Sequence, residues 1–235
     1  MSKNRMQPLV AFRALKRLIN DPERTEEVFT IIKAMSGNAV ERAYRRFCRT
    51  TKGQVILREQ RSLLDTLKNL EYLQALPEDT LGRHYRNFLE REGLSPEGLV
   101  DASDGSQDEY LDPGLKLYTL RLRDQHDLWH VVTGYGRDTF GEACLLAFTY
   151  AQTKNRGIGL IALIGMLKLS KEIGPEVRGA WWRAWRDGRK AAWLPAADWE
   201  ALLELPIAEV RRQLNVGPPQ KYLKVHADYG LQSPA

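Results

Sequence analysis

The stretch that decides the fold is Arg121-Leu-Arg-Asp-Gln-His126-Asp127-Leu-Trp-His130, followed beyond Gly134 and Gly136 by Gly141-Glu142. Reduced to its chemistry it reads H-D-x-x-H, eleven intervening residues, then E. The four metal-competent side chains of this pattern span seventeen residues, in a chain with only four histidines. His126 and His130 are four apart, so a helix projects both imidazoles from one face, one turn above the other. Asp127 precedes His130 by three and borders that face. Asp138 is the expected N-cap of a second helix with Glu142 in its first turns. A helical hairpin of this kind brings a carboxylate against two imidazoles, a donor set suited to Zn, Fe, Mn or Co.

A histidine pair at i, i+4 is also an ordinary helix face, and an acid twelve residues on can be surface decoration. The spacing resembles the zincin helix H-E-x-x-H, but the acid here is Asp, one methylene shorter. The third-ligand spacings of metzincins and inverzincins are missing as well, which argues against a protease.

Around this stretch the chain is long enough, at 235 residues, to bury a substantial core as one domain. A hydrophobic content of 43% with six Trp excludes a disordered chain. Cys48 and Cys144 form no C-x-x-C and are expected as reduced core thiols. The net charge of +5 invites a polyanionic partner. No nucleic-acid signature accompanies it, so none is expected, and an anionic membrane surface fits the same charge.

The charge is uneven. Residues 1–20 carry five Lys/Arg and no acid, whereas residues 78–112 hold ten Asp/Glu against three Arg. Leu9, Phe12, Leu15, Leu18 and Ile19 alternate with Arg13, Lys16 and Arg17, the pattern of a basic amphipathic helix that docks on lipid or shows a solvated basic face. The N-terminus is expected as a mature bacterial-type one, because a transit peptide would be richer in Ser. No apolar run reaches the about 18–20 residues that cross a bilayer.

Helix signals run almost throughout. Asn20-Asp21-Pro22 predicts a start and Ser36-Gly37 an end. Asn38 with Glu41 predicts a capping box for a helix ending at Lys52-Gly53. Leu63, Leu64, Leu67, Leu70 and Leu73 set a helix from Arg58 to Leu76, stopped by Pro77. A further helix runs from about Asp79 to Gly93, then an acidic loop from Val100 to Tyr110. Asp112-Pro113 opens the motif helix, and its partner runs from Thr139 to about Lys154. Ile158 to Leu167 is apolar on every face, so it is either buried all round or lines an apolar cavity through Ile158, Leu160, Ile161, Leu163 and Ile164. Gly159 and Gly165 let a backbone or slender ligand approach it. Trp181, Trp182, Trp185 and Trp193 among Arg and Lys suit a membrane or protein interface. Residues 217–235 read as an extended tail beyond a single domain over 1–216, with His226 at the surface. The fold class is all-α, a single-domain multi-helix bundle.

Leu76-Pro77-Glu78-Asp79-Thr80-Leu81-Gly82-Arg83-His84-Tyr85, the stretch from Tyr118 to His130, Gly134, Gly141-Glu142, Gly188-Arg189-Lys190-Ala191 and Ile207-Ala-Glu-Val-Arg-Arg together resemble the Coq-four family of coenzyme Q biosynthesis. The resemblance covers most of residues 8–215, with all four marked positions of the H-D-x-x-H-x11-E pattern intact. It implies an all-helical protein, a metal commonly taken as zinc, an apolar cavity for a polyprenyl tail, and other quinone-biosynthesis proteins as partners. It also implies peripheral attachment to an inner membrane. The side would be cytoplasmic in a bacterium and the mitochondrial matrix in a eukaryote. The implied activity is removal of the C1 carboxylate from a polyprenyl-hydroxybenzoate, in some accounts with hydroxylation there.

On these residues His126, His130 and Glu142 are expected to hold the metal, with Asp127 as fourth ligand or neighbouring acid. The ion acts as a Lewis acid. Arg123, and Arg121 with it, are candidates to clamp the substrate carboxylate, against the plainer expectation of an ion pair with Asp127. Asp127 or a bound water then protonates C1. An oxidative course favours Fe, Co or Mn, since zinc has no redox chemistry. A non-catalytic prenyl-lipid-binding scaffold and a metal-dependent hydrolase remain the alternatives, and the Trp-rich helix is a candidate homodimer face.

Overall fold

The computed structural model describes residues 6–20, 24–96 and 112–231. The expected cap at Asp21-Pro22 and the acidic loop from Val100 to Tyr110 lie outside these. Among the described residues there is no strand, only an isolated antiparallel bridge between Thr80 and Pro206, so the fold is all-α as its sequence periodicity predicts. In chain order the helices are α1 (Pro8–Asn20), α2 (Thr25–Ser36), α3 (Ala39–Phe47), α4 (Thr51–Glu59) and α5 (Leu63–Lys68). Next come α6 (Leu70–Ala75), α7 (Leu81–Glu92), α8 (Pro113–Asp124), α9 (His126–Thr133) and α10 (Thr139–Thr153). The last are α11 (Arg156–Glu172), α12 (Glu176–Lys190), α13 (Trp199–Leu203), α14 (Ile207–Leu214) and α15 (Gln220–Asp228). They fold as two compact units interleaved in sequence, one drawn from residues 1–43, 135–189 and 219–234, the other from 44–134 and 190–218.

In the first unit, small side chains let α1 and α2 approach closely. Ala11, Ala14, Ile31 and Ala34 form a buried cluster, and Leu160 and Ile161 of α11 pack against it. The opposite face of α1 is bare: Leu9 is 72% and Phe12 65% exposed, beside exposed Arg13 and Lys16. Asn155 caps α11 through Gly157 N–H and Ile158 N–H, and its amide donates to Ser36 Oγ at 2.7 Å, tying α11 to the end of α2. Helix α11 is not buried all round: Ala162, Met166 and Leu169 are buried and Leu160 and Ile161 face the α1–α2 cluster, but one side is open. Leu163 and Leu167 are 41% and 46% exposed. A Cβ at Gly159 would lie 2.9 Å from the Tyr150 ring, whereas one at Gly165 would meet only Ala143, at an ordinary 3.7 Å. On α12, Trp181 is buried while exposed Trp182 stacks between it and Trp185.

The described part of the tail, as far as residue 231, is not an extended arm. Residues 220–228 form α15, because Tyr222, Val225 and His226 recur at helical spacing and all three are buried. His226, expected at the surface, lies against the rings of Phe140 and Tyr222.

In the second unit, two predicted helices are each divided. The one expected to end at Lys52-Gly53 stops at Phe47, because Thr50 Oγ1 accepts Gly53 N–H and starts α4 there. The one expected from Arg58 to Leu76 breaks at Gln60 and again at Asn69. Gln60 takes the left-handed conformation, and the Asn69 side chain accepts Tyr72 N–H at 3.1 Å. Leu63, Leu67 and Leu73 are thereby fully buried. Each contributes about 1.5–3 kcal/mol, more than the about 0.5–1.5 kcal/mol of a lost helical bond. Leu81 N–H donates to Leu205 O and Ile207 N–H to Asp79 O, setting α7 beside α14.

Candidate metal centre

The motif is held from both ends. Asp112 accepts Leu115 N–H and Pro113 sits at the first turn, which starts α8 as the sequence predicts. The helix does not continue into the histidines: it breaks at Gln125 (φ −80°, ψ −3°), and α9 begins anew. The indole N–H of Trp199 donates to Gln125 Oε1 at 2.6 Å and occupies the break. Arg211 takes the carbonyls of Val132 (2.9 Å) and Val131 (3.2 Å) at the other end of α9. Burial pushes its guanidinium below the ordinary value. Gly134 then turns the chain in the left-handed region at φ 75°.

The N-terminal end of α10 is fixed as predicted, by Asp138 Oδ1 accepting Phe140 N–H and Gly141 N–H at 3.1 and 3.0 Å. Gly141 is required there, since a Cβ would lie 2.1 Å from Gly136 O. Glu142 follows in the first turn, its N–H bonded to Asp138 O at 2.9 Å.

His126 and His130 meet edge to face with ring centroids 4.9 Å apart. His130 is 1% exposed and stacks on Phe88 at 5.9 Å, whereas the His126 side chain is 33% exposed. His126, His130 and Glu142 each offer one ligand atom, and these lie within 4.8 Å of one another. An ion about 2.0–2.2 Å from each of three such donors would need them roughly 3.4 Å apart. Two imidazoles and a carboxylate suit zinc, and equally iron, manganese or cobalt. Asp127 stands beside this set: it is buried, with Oδ1 3.3 Å from His126 Nδ1.

The two arginines have partners within the fold. Arg121 is buried and forks onto Glu200 at 2.6 and 2.8 Å, with Arg61 O also 2.9 Å away. The carboxylate it clamps is thus Glu200's. Arg123 Nε donates to Asp124 Oδ1 at 2.8 Å. Burial pushes the Asp124 carboxyl up, and Arg123 opposes that shift. Nearby, burial pushes the His84 imidazole down, with the Arg211 charge adding to it. Of the expected cavity residues, Leu160 and Ile161 are the two packed against the α1–α2 cluster. Sequence patterns give no sign of how Phe88, Gln125, Trp199 and Arg211 are partnered, because those partners lie up to 80 residues away.

The fold and this cluster define an all-helical protein with a candidate metal-binding set in His126, His130 and Glu142. Residues 3–220 match the family described as coenzyme Q (ubiquinone) biosynthesis protein Coq4, and the chain belongs to that family. It is 35% identical over 170 residues to a mitochondrial ubiquinone biosynthesis protein COQ4 of Podospora anserina, covering 71% of this chain and 54% of that one. It is 30% identical over 179 residues to the Candida tropicalis protein of the same name, covering 75% and 54%. The chain thus spans about half the length of the curated relatives it matches. A crystal structure of a protein from Nostoc punctiforme PCC 73102 shares the fold, with a TM-score of 0.67 at 21% identity over 89% of this chain and 98% of that one. No helix among the described residues is long and apolar enough to cross a membrane.

Proposed function

We propose that this ubiquinone biosynthesis protein removes the C1 carboxylate of a polyprenyl-hydroxybenzoate at a metal held by His126, His130 and Glu142. The observation that carries the proposal is the convergence of those three donors in a chain of this family. When bound, the metal supplies Lewis acidity toward a ring oxygen or the carboxylate. Asp127 holds His126 by its Nδ1 and fixes which nitrogen faces the ion. As the C1–carboxylate bond breaks, the electron pair stays on C1, and a proton drawn from water is delivered there, with Asp127 as the group that relays it. Arg123 stands one turn before Asp127 as the candidate contact for the departing carboxylate. An oxidative course consumes dioxygen as well, and then requires iron, cobalt or manganese rather than zinc.

The prenyl tail lies along Ile158, Leu163 and Ile164 of α11. Leu9 and Phe12, exposed on α1 among Arg13, Lys16 and Arg17, dock the chain peripherally on an anionic membrane, where other quinone-biosynthesis proteins act on the same substrate. Metal-loaded full-length chain incubated with a prenylated hydroxybenzoate under air and under nitrogen, followed by mass analysis, tests the activity. Loss of CO2 in both atmospheres identifies a simple decarboxylase, and loss in air alone an oxidative one. No loss in either sinks the catalytic reading and leaves a prenyl-lipid scaffold, whereas turnover unchanged in Asp127→Asn removes Asp127 as the proton donor.

A further inference from the structure

Helix α15 begins at the edge of the family-matched span, yet it reaches the turn that leads into the helix of Glu142. Tyr222 is fully buried, and its hydroxyl donates to Asp138 Oδ2 at 2.5 Å. The Tyr222 hydroxyl oxygen in turn accepts Gly136 N–H at 3.0 Å. Burial, reinforced by the Asp138 carboxylate, pushes the hydroxyl well above the ordinary tyrosine value, so it remains a donor. Asp138 is therefore bonded on both oxygens: Oδ1 caps α10 through Phe140 N–H and Gly141 N–H, and Oδ2 is held by Tyr222. The ring is wedged between Tyr135 and Phe140, with centroids 5.4 and 5.1 Å away. One phenol thus bridges the Gly136 and Asp138 ends of the turn. Glu142 lies one helical turn beyond, its N–H on Asp138 O.

We propose that Tyr222 is a positioning residue for Glu142, fixing through Asp138 and Gly136 the first turn of the helix that aims this carboxylate. The inference rests on the reading of Glu142 as a metal ligand. Tyr222 touches neither the ion nor the substrate; it narrows the directions from which the carboxylate approaches. Residues that orient ligands from behind typically set about 10–100-fold of metal affinity.

The test is zinc affinity of the full-length chain, by competition with a chromogenic chelator well below the unfolding temperature, together with the visible absorption of the cobalt-loaded protein. Tyr222→Phe deletes only the hydroxyl. Asp138→Ser keeps a capping oxygen but removes the one Tyr222 holds. Each is expected to weaken zinc about 10-fold and to shift the cobalt band, and the double variant to be no weaker than the weaker single. Glu142→Ala is expected to lose more. If Glu142→Ala weakens zinc while Tyr222→Phe binds like the wild type, or if the two latch substitutions add fully, the positioning role is overturned and the metal site stands. A Tyr222→Phe protein that melts earlier but binds zinc with unchanged affinity overturns it too, since Tyr222 then serves stability alone. If Glu142→Ala binds zinc as the wild type does, the metal reading falls and this inference with it.

Discussion

Trp199 donates its indole N–H to Gln125 at 2.6 Å, and Gln125 is the residue at which the helix breaks immediately before His126. Both side chains are buried, so neither has water to fall back on. Replacing Trp199 by Phe keeps most of the apolar contact but leaves the Gln125 carbonyl without its donor. The expected cost is about 1–3 kcal/mol, read as a lower urea midpoint. The double variant Gln125→Met/Trp199→Phe, which removes both halves of the bond, recovers part of that loss. Strictly additive losses in the two positions would show that the bond is not the coupling between them.

The fork from Arg121 to Glu200 joins α8 to α13. With the guanidinium buried, removing one partner leaves a charge without its counterion, at about 3–5 kcal/mol. Glu200→Ala is therefore expected to lower the melting temperature sharply. A substrate-clamping Arg121 predicts otherwise: Glu200→Ala would melt normally and raise KM.

Metal binding to the folded chain raises its stability by mass action. Zinc is expected to raise the melting temperature of the wild type, and chelator to reverse the rise. His126→Ala and His130→Ala both abolish the response, but they differ without metal. His130, packed on Phe88, costs packing energy when truncated. His126, one-third exposed, costs little. A zinc response that survives both substitutions places the ion elsewhere.

Leu9 and Phe12 make no core contact that their exposure does not already concede. The substitution Leu9→Glu/Phe12→Glu is thus expected to leave the melting temperature unchanged and to abolish co-sedimentation with vesicles containing phosphatidylserine. Binding that persists in this variant assigns the membrane contact to another face.

What was legible in the sequence was local. Asp112-Pro113, Asp138 and Gly93 announce helix ends because each acts on backbone groups within three residues of itself. The histidine spacing is equally a property of one helix. What escaped was decided at long range. Gln60 adopts a left-handed conformation that its side chain does not call for, where burial of Leu63 and Leu67 outweighs the strain. Gly53 looked like a helix end, but the Thr50 cap places it inside the next helix. His226 reads as superficial in a polar, Pro-flanked tail, and it is buried by packing against Phe140 and Tyr222, with Asp138 Oδ1 3.3 Å from its Nε2.

The grip of Arg211 on Val131 and Val132 has a kinetic consequence. It puts a fixed cation at the carboxyl end of α9, offsetting the helix dipole and discouraging fraying. The end stapled by Arg211 lies next to the deeply enclosed His130, whereas His126 opens the helix with a third of its side chain in water. On the proposed function, an ion would reach His126 before His130, and the expected outcome is an on-rate that follows substitutions at the outer imidazole and an off-rate that follows those at the inner one.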